Sequence, residues 1–395
     1  DLAYAFNDGA QLSYHIFLSK DDEFVYDQQL SGTTSVRWTN DGIVRAADFN
    51  GDGLTDLAYA YNEGELKVNL SISTGSELLQ NIWDSEGLTW QSAQLLNFSD
   101  CNSDGKTDLS YFYNDQGSVS AKVAISQGET FGKASLWSKK TVQWNSNSEM
   151  IKSADYNGDG FTDVAYLFEE GQEISIHTYL GDGKAFTYYQ TFKSPLQWGS
   201  HKFYLPSDYN GDGKTDIANV FDQGEGVTYN IFLSEKQQQQ PYLLKQHDLL
   251  NTVVDGYGSQ VKAQYKPLTD TDVYQKDTQT ATFPSLTVTL PSYVVSKTTL
   301  YDPISNTSSQ RNYTYKNAQV NLQGRGWLGF GQMHIENTSD KDTLLHTTTI
   351  KKYLQEFPLT GKTASIKQIR SSDGATLALA SAKYQYTNSA LSNKV

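Results

Sequence analysis

The sequence predicts an all-β chain whose first part is built from repeated sheets of about four strands, and three observations predict it. An acidic loop recurs four times: DFNGDGLTD from Asp48, DCNSDGKTD from Asp100, DYNGDGFTD from Asp155 and DYNGDGKTD from Asp208, with first residues 52, 55 and 53 apart. A tryptophan keeps the same beat at Trp38, Trp90, Trp144 and Trp198, spaced 52, 54 and 54. Two markers with one period define a structural repeat. The third observation is that no segment sustains helical periodicity.

The pieces of each period follow in a fixed order. A short apolar stretch such as Ile43-Val44-Arg45-Ala46-Ala47 enters the loop. A tyrosine-rich strand leaves it, from Asp56 to Tyr61, and Asn62-Glu63-Gly64 turns it back. The strand from Leu66 to Ile72 alternates, and a last segment runs toward the next tryptophan. Four strands in about 53 residues is the scale of one β-propeller blade. The chain opens in mid-repeat, since Asp1-Leu2-Ala3-Tyr4-Ala5-Phe6 matches Asp56-Leu57-Ala58-Tyr59-Ala60-Tyr61. Asp1 thus stands where a loop's ninth residue stands. The expectation is a partial propeller, its first blade truncated, cut from a longer protein.

Oxygen-bearing side chains occupy positions 1, 3, 5 and 9 of each loop. They are Asp48, Asn50, Asp52 and Asp56; Asp100, Asn102, Asp104 and Asp108; Asp155, Asn157, Asp159 and Asp163; Asp208, Asn210, Asp212 and Asp216. Position 7 changes freely (Leu54, Lys106, Phe161, Lys214) and can offer its carbonyl. Three carboxylates, an amide and a carbonyl form a hard oxygen set, which suits calcium with its six to eight oxygens better than zinc with its nitrogen and sulfur ligands. The expected cofactor is therefore calcium, at about four sites in hairpin loops. Position 6 is glycine throughout, where the chain must fold back with φ > 0. Position 12 of the first copy is Tyr59 rather than a bidentate Glu, so the loop is no EF-hand. The rival reading is a set of metal-free Asx turns, which the same residues favour.

Composition limits what the chain can do. The net charge of −14 is concentrated in the loops, and four calcium ions would bring it to −6. Nucleic-acid binding wants a basic footprint, and no apolar run approaches a membrane span. The one cysteine, Cys101, excludes an intrachain disulfide and reads as a packed thiol. Such cysteine poverty fits a secreted bacterial protein stapled by calcium instead. The six histidines form no metal-spaced pair, and no G-x-S-x-G or H-E-x-x-H motif occurs. Loop carboxylates on a metal would be poor proton shuttles. No catalytic residue is expected, and the chain reads as no enzyme. The periodic tryptophans read as blade-packing residues, with sugar-stacking platforms as the alternative.

The period ends near the run Gln237-Gln238-Gln239-Gln240-Pro241. The organisation expected is therefore blades over residues 1–236, a linker over 237–247, and a second β-rich region over 248–395. Glycines of Asp255-Gly256-Tyr257-Gly258 suggest a hairpin turn between Asn251–Val254 and Gln260–Tyr265. Gly324 to Gly329 spells G-x-G-x-x-G, but its β-rich flanks lack the helix a dinucleotide site needs.

The loops resemble FG-GAP (VCBS) repeats, the blades of integrin-type propellers. Three later stretches resemble the shell-entry region of Rhs-family toxins and of the B component of insecticidal toxin complexes, including SpvB-type regions. They are Leu249 to Gly258 running into Tyr265-Lys266-Pro267-Leu268, Gly324-Arg325-Gly326-Trp327-Leu328-Gly329-Phe330, and Glu356-Phe357-Pro358-Leu359-Thr360-Gly361. The resemblance implies the non-catalytic propeller and shell portion of a secreted, extracellular toxin-delivery protein. Such a protein encloses a toxic polypeptide (the C-component) and docks on a translocation partner. The alternative is a surface adhesin or lectin-like propeller that binds glycan or protein.

Overall fold

The computed structural model describes residues 1–20, 23–85, 87–90, 94–139, 141–145, 149–198, 202–222, 227–234, 249–276, 281–323, 325–339 and 346–384. The expected linker at 237–247 and Gly324 lie outside these residues. The fold is all-β: no helix occurs among the described residues.

Five small antiparallel sheets follow one another in a propeller-like arrangement. The first holds β1 (Leu2–Asp8), β2 (Gln11–Lys20) and β3 (Glu23–Arg37). The second holds β4 (Ile43–Ala47), β5 (Asp56–Asn62), β6 (Leu66–Ser73) and β7 (Leu78–Asp84). The third holds β8 (Gln94–Ser99), β9 (Asp108–Asp115), β10 (Ser118–Ala124) and β11 (Ser135–Ser138). The fourth holds β12 (Glu149–Ala154), β13 (Asp163–Glu170), β14 (Glu173–Gly181) and β15 (Phe186–Gln197). The fifth holds β16 (Lys202–Ser207), β17 (Asp216–Asp222) and β18 (Val227–Phe232). Three of the blades thus have four strands, while the first and fifth have three among the described residues.

Each core lies between consecutive blades. Leu12 and Tyr14 of the first pack with Leu57, Tyr59 and Tyr61 of the second. Leu66, Val68 and Leu70 of the second pack with Leu109 and Tyr111 of the third. Phe112, Val119 and Ala121 of the third pack with Val164 and Tyr166 of the fourth. Leu167, Ile174 and Ile176 of the fourth pack with Ile217 of the fifth. Strand residues alternate between faces, so every inner blade contributes one side of its sheet to each of two cores. That explains why β5 and β13 read as nearly unbroken apolar runs.

The shared beat of loop and tryptophan has a packing cause. Trp38 stacks on Tyr59 at 5.7 Å between ring centroids, and Trp144 lies 6.0 Å from Tyr166. Each of these tyrosines stands third after a ninth-position aspartate. Its hydroxyl is satisfied by backbone beside the tryptophan: the Thr39 N–H donates to Tyr59 at 2.7 Å, Tyr111 donates to the Thr89 carbonyl at 2.8 Å, and the Asn145 N–H donates to Tyr166 at 3.0 Å. In the fifth blade Asn219 takes this place, and Trp198 stacks on Tyr204 instead, at 5.5 Å.

Compact units divide the chain as residues 1–157, 161–206 and 217–236 on the one hand, and 158–160, 207–216 and 237–395 on the other. The second unit carries a ten-stranded sheet. Its β19 (Thr252–Val254), β20 (Gln260–Pro267), β21 (Tyr274–Gln275), β22 (Ser285–Thr287), β23 (Tyr293–Asp302), β24 (Thr307–Asn321), β25 (Gly326–Ser339), β26 (Thr347–Tyr353), β27 (Thr363–Arg370) and β28 (Thr376–Ser381) follow in chain order. The sheet runs β19-β20-β23-β24-β25-β26-β27-β28, with β21 and β22 also pairing β24. The hairpin expected at Asp255–Gly258 joins β19 to β20, Val254 facing Gln260. Asp255 accepts the N–H groups of Tyr257 and Ser259, both at 2.9 Å, and Gly258 has φ +83°. The core of this unit is small: Leu268, Val273, Tyr274, Tyr315 and Ala318. Tyr274 ties it together, donating to the Val288 carbonyl at 2.7 Å and accepting the Ala318 N–H at 3.0 Å. Toward β28 every side chain is exposed.

Candidate metal centres

All four loops connect the first strand of a blade to its second, as β4 to β5 with Ala47 facing Asp56. Within them one hydrogen-bond scheme repeats. In the first loop Asp48 accepts the N–H of Gly51 at 2.7 Å on Oδ1 and of Gly53 at 2.8 Å on Oδ2. Asn50 Oδ1 accepts the Asp52 N–H at 3.0 Å, its Nδ2 donates to Asp52 Oδ2 at 2.8 Å, and Asp52 Oδ1 accepts the Leu54 N–H at 2.8 Å. The second loop repeats this with Gly105 on Asp100 at 2.9 Å, Asp104 on Asn102 at 3.0 Å and Lys106 on Asp104 at 2.9 Å. So does the fourth, with Gly213 on Asp208, Asp212 on Asn210 and Lys214 on Asp212, each at 2.9 Å. In the third loop Asn157, Asp159 and Phe161 are buried.

Position 6 has the expected left-handed backbone: Gly53 +85°, Gly105 +85°, Gly160 +88° and Gly213 +84°. Position 4 is left-handed too, at Gly51, Gly158 and Gly211, and Ser103 adopts φ +60° there without being glycine.

The ninth aspartate is also held by backbone amides. Asp56 is fully buried; its Oδ2 accepts the Phe49 N–H at 2.9 Å and its Oδ1 the Ser73 N–H at 2.7 Å. Asp108 accepts from Cys101 at 2.9 Å and Ser126 at 2.7 Å. Asp163 accepts from Tyr156 and Gly181, both at 2.9 Å, and Asp216 accepts from Tyr209 at 3.1 Å. Asp1 accepts from Ser19 at 2.8 Å, the matching bond in the first blade. In the inner blades this carboxylate therefore pins the start of its loop to the end of the blade's third strand, a role the 18-residue spacing of Asp1 and Ser19, repeated at Asp108 and Ser126, could have signalled. Burial outweighs the amide bonds and pushes the Asp108 carboxyl up to about 7, and burial raises Asp56 as well. Cys101 is buried beneath its loop, which pushes its thiol up to about 12.

Neighbouring loops are also laced together. The Thr107 N–H donates to the Asp48 carbonyl at 2.9 Å, and Thr162 Oγ1 donates to the Asp100 carbonyl at 2.6 Å. In the second unit Lys276 Nζ donates to the Gly211 carbonyl at 3.1 Å. Hard oxygens of the kind calcium takes are thus concentrated in each loop, and a carboxylate oxygen that accepts one N–H keeps a further lone pair. As the loops stand, no three carboxylate, His or Cys side chains among the described residues are gathered around a common point. The donor chemistry fits calcium.

The periodic tryptophans are packing residues in this geometry. A surface groove of about 580 Å³ runs past Trp144, Phe168, Glu169 and His177, but Trp144 is only 6% exposed and lies against Tyr166. The dinucleotide reading of Gly324–Gly329 lacks its helix, since Gly326 to Phe330 already lie in β25.

Residues 155–218 match the FG-GAP-like repeat family, and residues 204–361 match the family of the insecticide toxin TcdB middle/N-terminal region. No curated protein matches the chain. Similar solved structures include a Tc holotoxin pore of Photorhabdus luminescens, at 16% identity over 90% of this chain and 19% of that one, TM-score 0.37. A TcdB2–TccC3 structure matches at 15% identity over 91% and 20%, TM-score 0.36. The exotype rhamnogalacturonan lyase YesX matches at 12% identity over 88% and 72%, TM-score 0.31. The chain spans about a fifth of the two toxin-complex chains. By its family matches, the chain joins an FG-GAP-like repeat to a region of the insecticide toxin TcdB middle/N-terminal kind.

Proposed function

We propose that the chain is a non-catalytic scaffold segment of a secreted bacterial toxin complex. Its blades and the large sheet that follows in sequence would help enclose a toxic polypeptide and dock on a translocating partner. The observation that carries this reading is the family match over 204–361, directly overlapping the repeat match over 155–218. The distribution of carboxylates supports it: those of the first, second and fourth loops are engaged with backbone N–H groups, an arrangement that builds structure.

Calcium belongs to the same proposal. One ion per loop would draw on the side chains at positions 1, 3, 5 and 9 and the carbonyl at position 7. Its binding would stiffen the loops, of which the first three are already chained to one another.

A capture assay tests the reading. The chain, immobilised in millimolar calcium, is expected to retain a toxin-complex translocation component and to give no signal on a glycan array. Retention of glycans with no retention of the translocation component would replace the scaffold reading with that of an adhesin or lectin.

A further inference from the structure

The ten-stranded sheet has two unlike faces, and strand register assigns each side chain to one of them. Side chains alternate along a strand and stay in line across paired strands. On β24 the odd positions Tyr313 and Tyr315 belong to the face of the small core, with Met333 opposite Tyr315. The even positions, from Gln310 to Lys316, belong to the other face. Pairing carries that face across the sheet. Lys262 lines up with Thr299 and Gln310, and Lys297 with Asn312. Lys316 lines up with Gln332 and Lys352, and Thr314 with His334, Ile350 and Lys367.

Five lysines from five strands thus share one face. Lys262, Lys352 and Lys367 are exposed, while Lys297 and Lys316 are half-buried. None of the five is in an ion pair among the described residues. The one acid in these rows is Glu336, opposite Asn312, whose side-chain amide donates to it at 3.4 Å. Burial lowers the affinity of His334 for its proton and the Lys316 charge lowers it further, so these two side chains feel each other. On a chain of net charge −14, the face is a local inversion of sign.

The chemistry of the strip selects its partner. Its strong cations are lysines alone, since Arg311 and Arg370 line up with Asn337 and Thr347 on the core face. Phosphate and sulfate are best clasped by the planar fork of arginine, whereas lysine is a point charge that one carboxylate can answer. No aromatic ring besides His334 stands in these rows, so nucleobases would find nothing to stack on. Strand spacing and rise put successive lysines roughly 8–14 Å apart and the ends of the strip about 30 Å apart. An extended chain of about nine residues covers that length, with acidic side chains at every second to fourth position meeting the steps. We infer that this face docks an extended acidic segment of a partner polypeptide.

Fluorescence anisotropy of the whole chain tests this, with a labelled peptide of about nine residues carrying Glu at alternate positions as the probe. The peptide is expected to bind, its Gln counterpart is not, and binding should fade as salt rises from about 50 mM to about 500 mM. Lys352→Gln combined with Lys367→Gln changes two exposed positions, so it should keep the parent's melting while weakening the peptide roughly fivefold. Arg311→Gln, on the core face, should leave binding unchanged. No binding of the Glu peptide at low salt, or the same loss in Arg311→Gln as in the double lysine variant, would overturn the proposal. An oligothymidylate of equal charge that binds as tightly as the peptide would also overturn it, in favour of a nucleic-acid surface.

Discussion

Ser103 shows how much one residue can depart from a repeat without breaking it. It holds φ +60° where the other three loops place glycine. The left-handed conformation costs a residue with a Cβ about 1–2 kcal/mol, partly offset because glycine has more freedom to lose on folding. Ser103→Gly should therefore raise stability by roughly 0.5–1 kcal/mol, read as a higher denaturation midpoint. An unchanged or lower midpoint would show that the serine has a compensating role. Asp108 makes a second prediction. Its folded carboxyl titrates near 7, because burial outweighs two amide bonds, while an unfolded aspartate titrates near 4. The folded state thus holds a proton that the unfolded chain has released. Its contribution to stability is complete below about pH 4 and is lost as pH rises through about 7. In chelator, the melting temperature of the parent minus that of Asp108→Asn should fall across this window. A difference that grows with pH would contradict the sign.

The loop is the element through which calcium would act. Melting in millimolar calcium is expected to exceed melting in chelator, each site adding roughly 1.4 kcal/mol at ten times its dissociation constant. Asp52→Ala, Asp159→Ala and Asp212→Ala should each remove one site from a calorimetric titration, whereas Leu54→Ala should remove none. Equal melting in calcium and chelator would count strongly against the ion. The tryptophan–tyrosine pair is the other recurring device. Trp144→Ala should cost about 3–5 kcal/mol, since the ring is buried between blades that share one core. A variant that melts like the parent but loses a glycan ligand would move the tryptophan from packing to recognition.

On the scale of the whole molecule, the blades and the large sheet are stabilised differently. The blade cores are four clusters of buried side chains, each between consecutive blades. The ten-stranded sheet has one small cluster near β24 and ends in a strand with every side chain exposed, Leu379 at 71%. Such a sheet leaves apolar surface and an open edge, both of which invite association. Residues 248–395 expressed alone are expected to aggregate or to unfold without cooperativity. A soluble product with a sharp two-state melt would require the shell interpretation to be withdrawn.

The all-β class, the repeat, the loops and their glycine turns were legible in the sequence, because these features are local. A loop's φ > 0 glycine, an alternating strand and a 53-residue beat are each set by the residues that show them. The hairpin at Asp255–Gly258 was legible for the same reason. What only the tertiary structure decided is where distant groups meet. The ninth aspartate, expected as a metal ligand, also accepts amides of its own loop's second residue and of a residue some 18 positions on. The beat of the tryptophans is explained by a stacking partner in the next blade. Burial is a property of neighbours, and a sequence read residue by residue specifies a face before it specifies what covers that face.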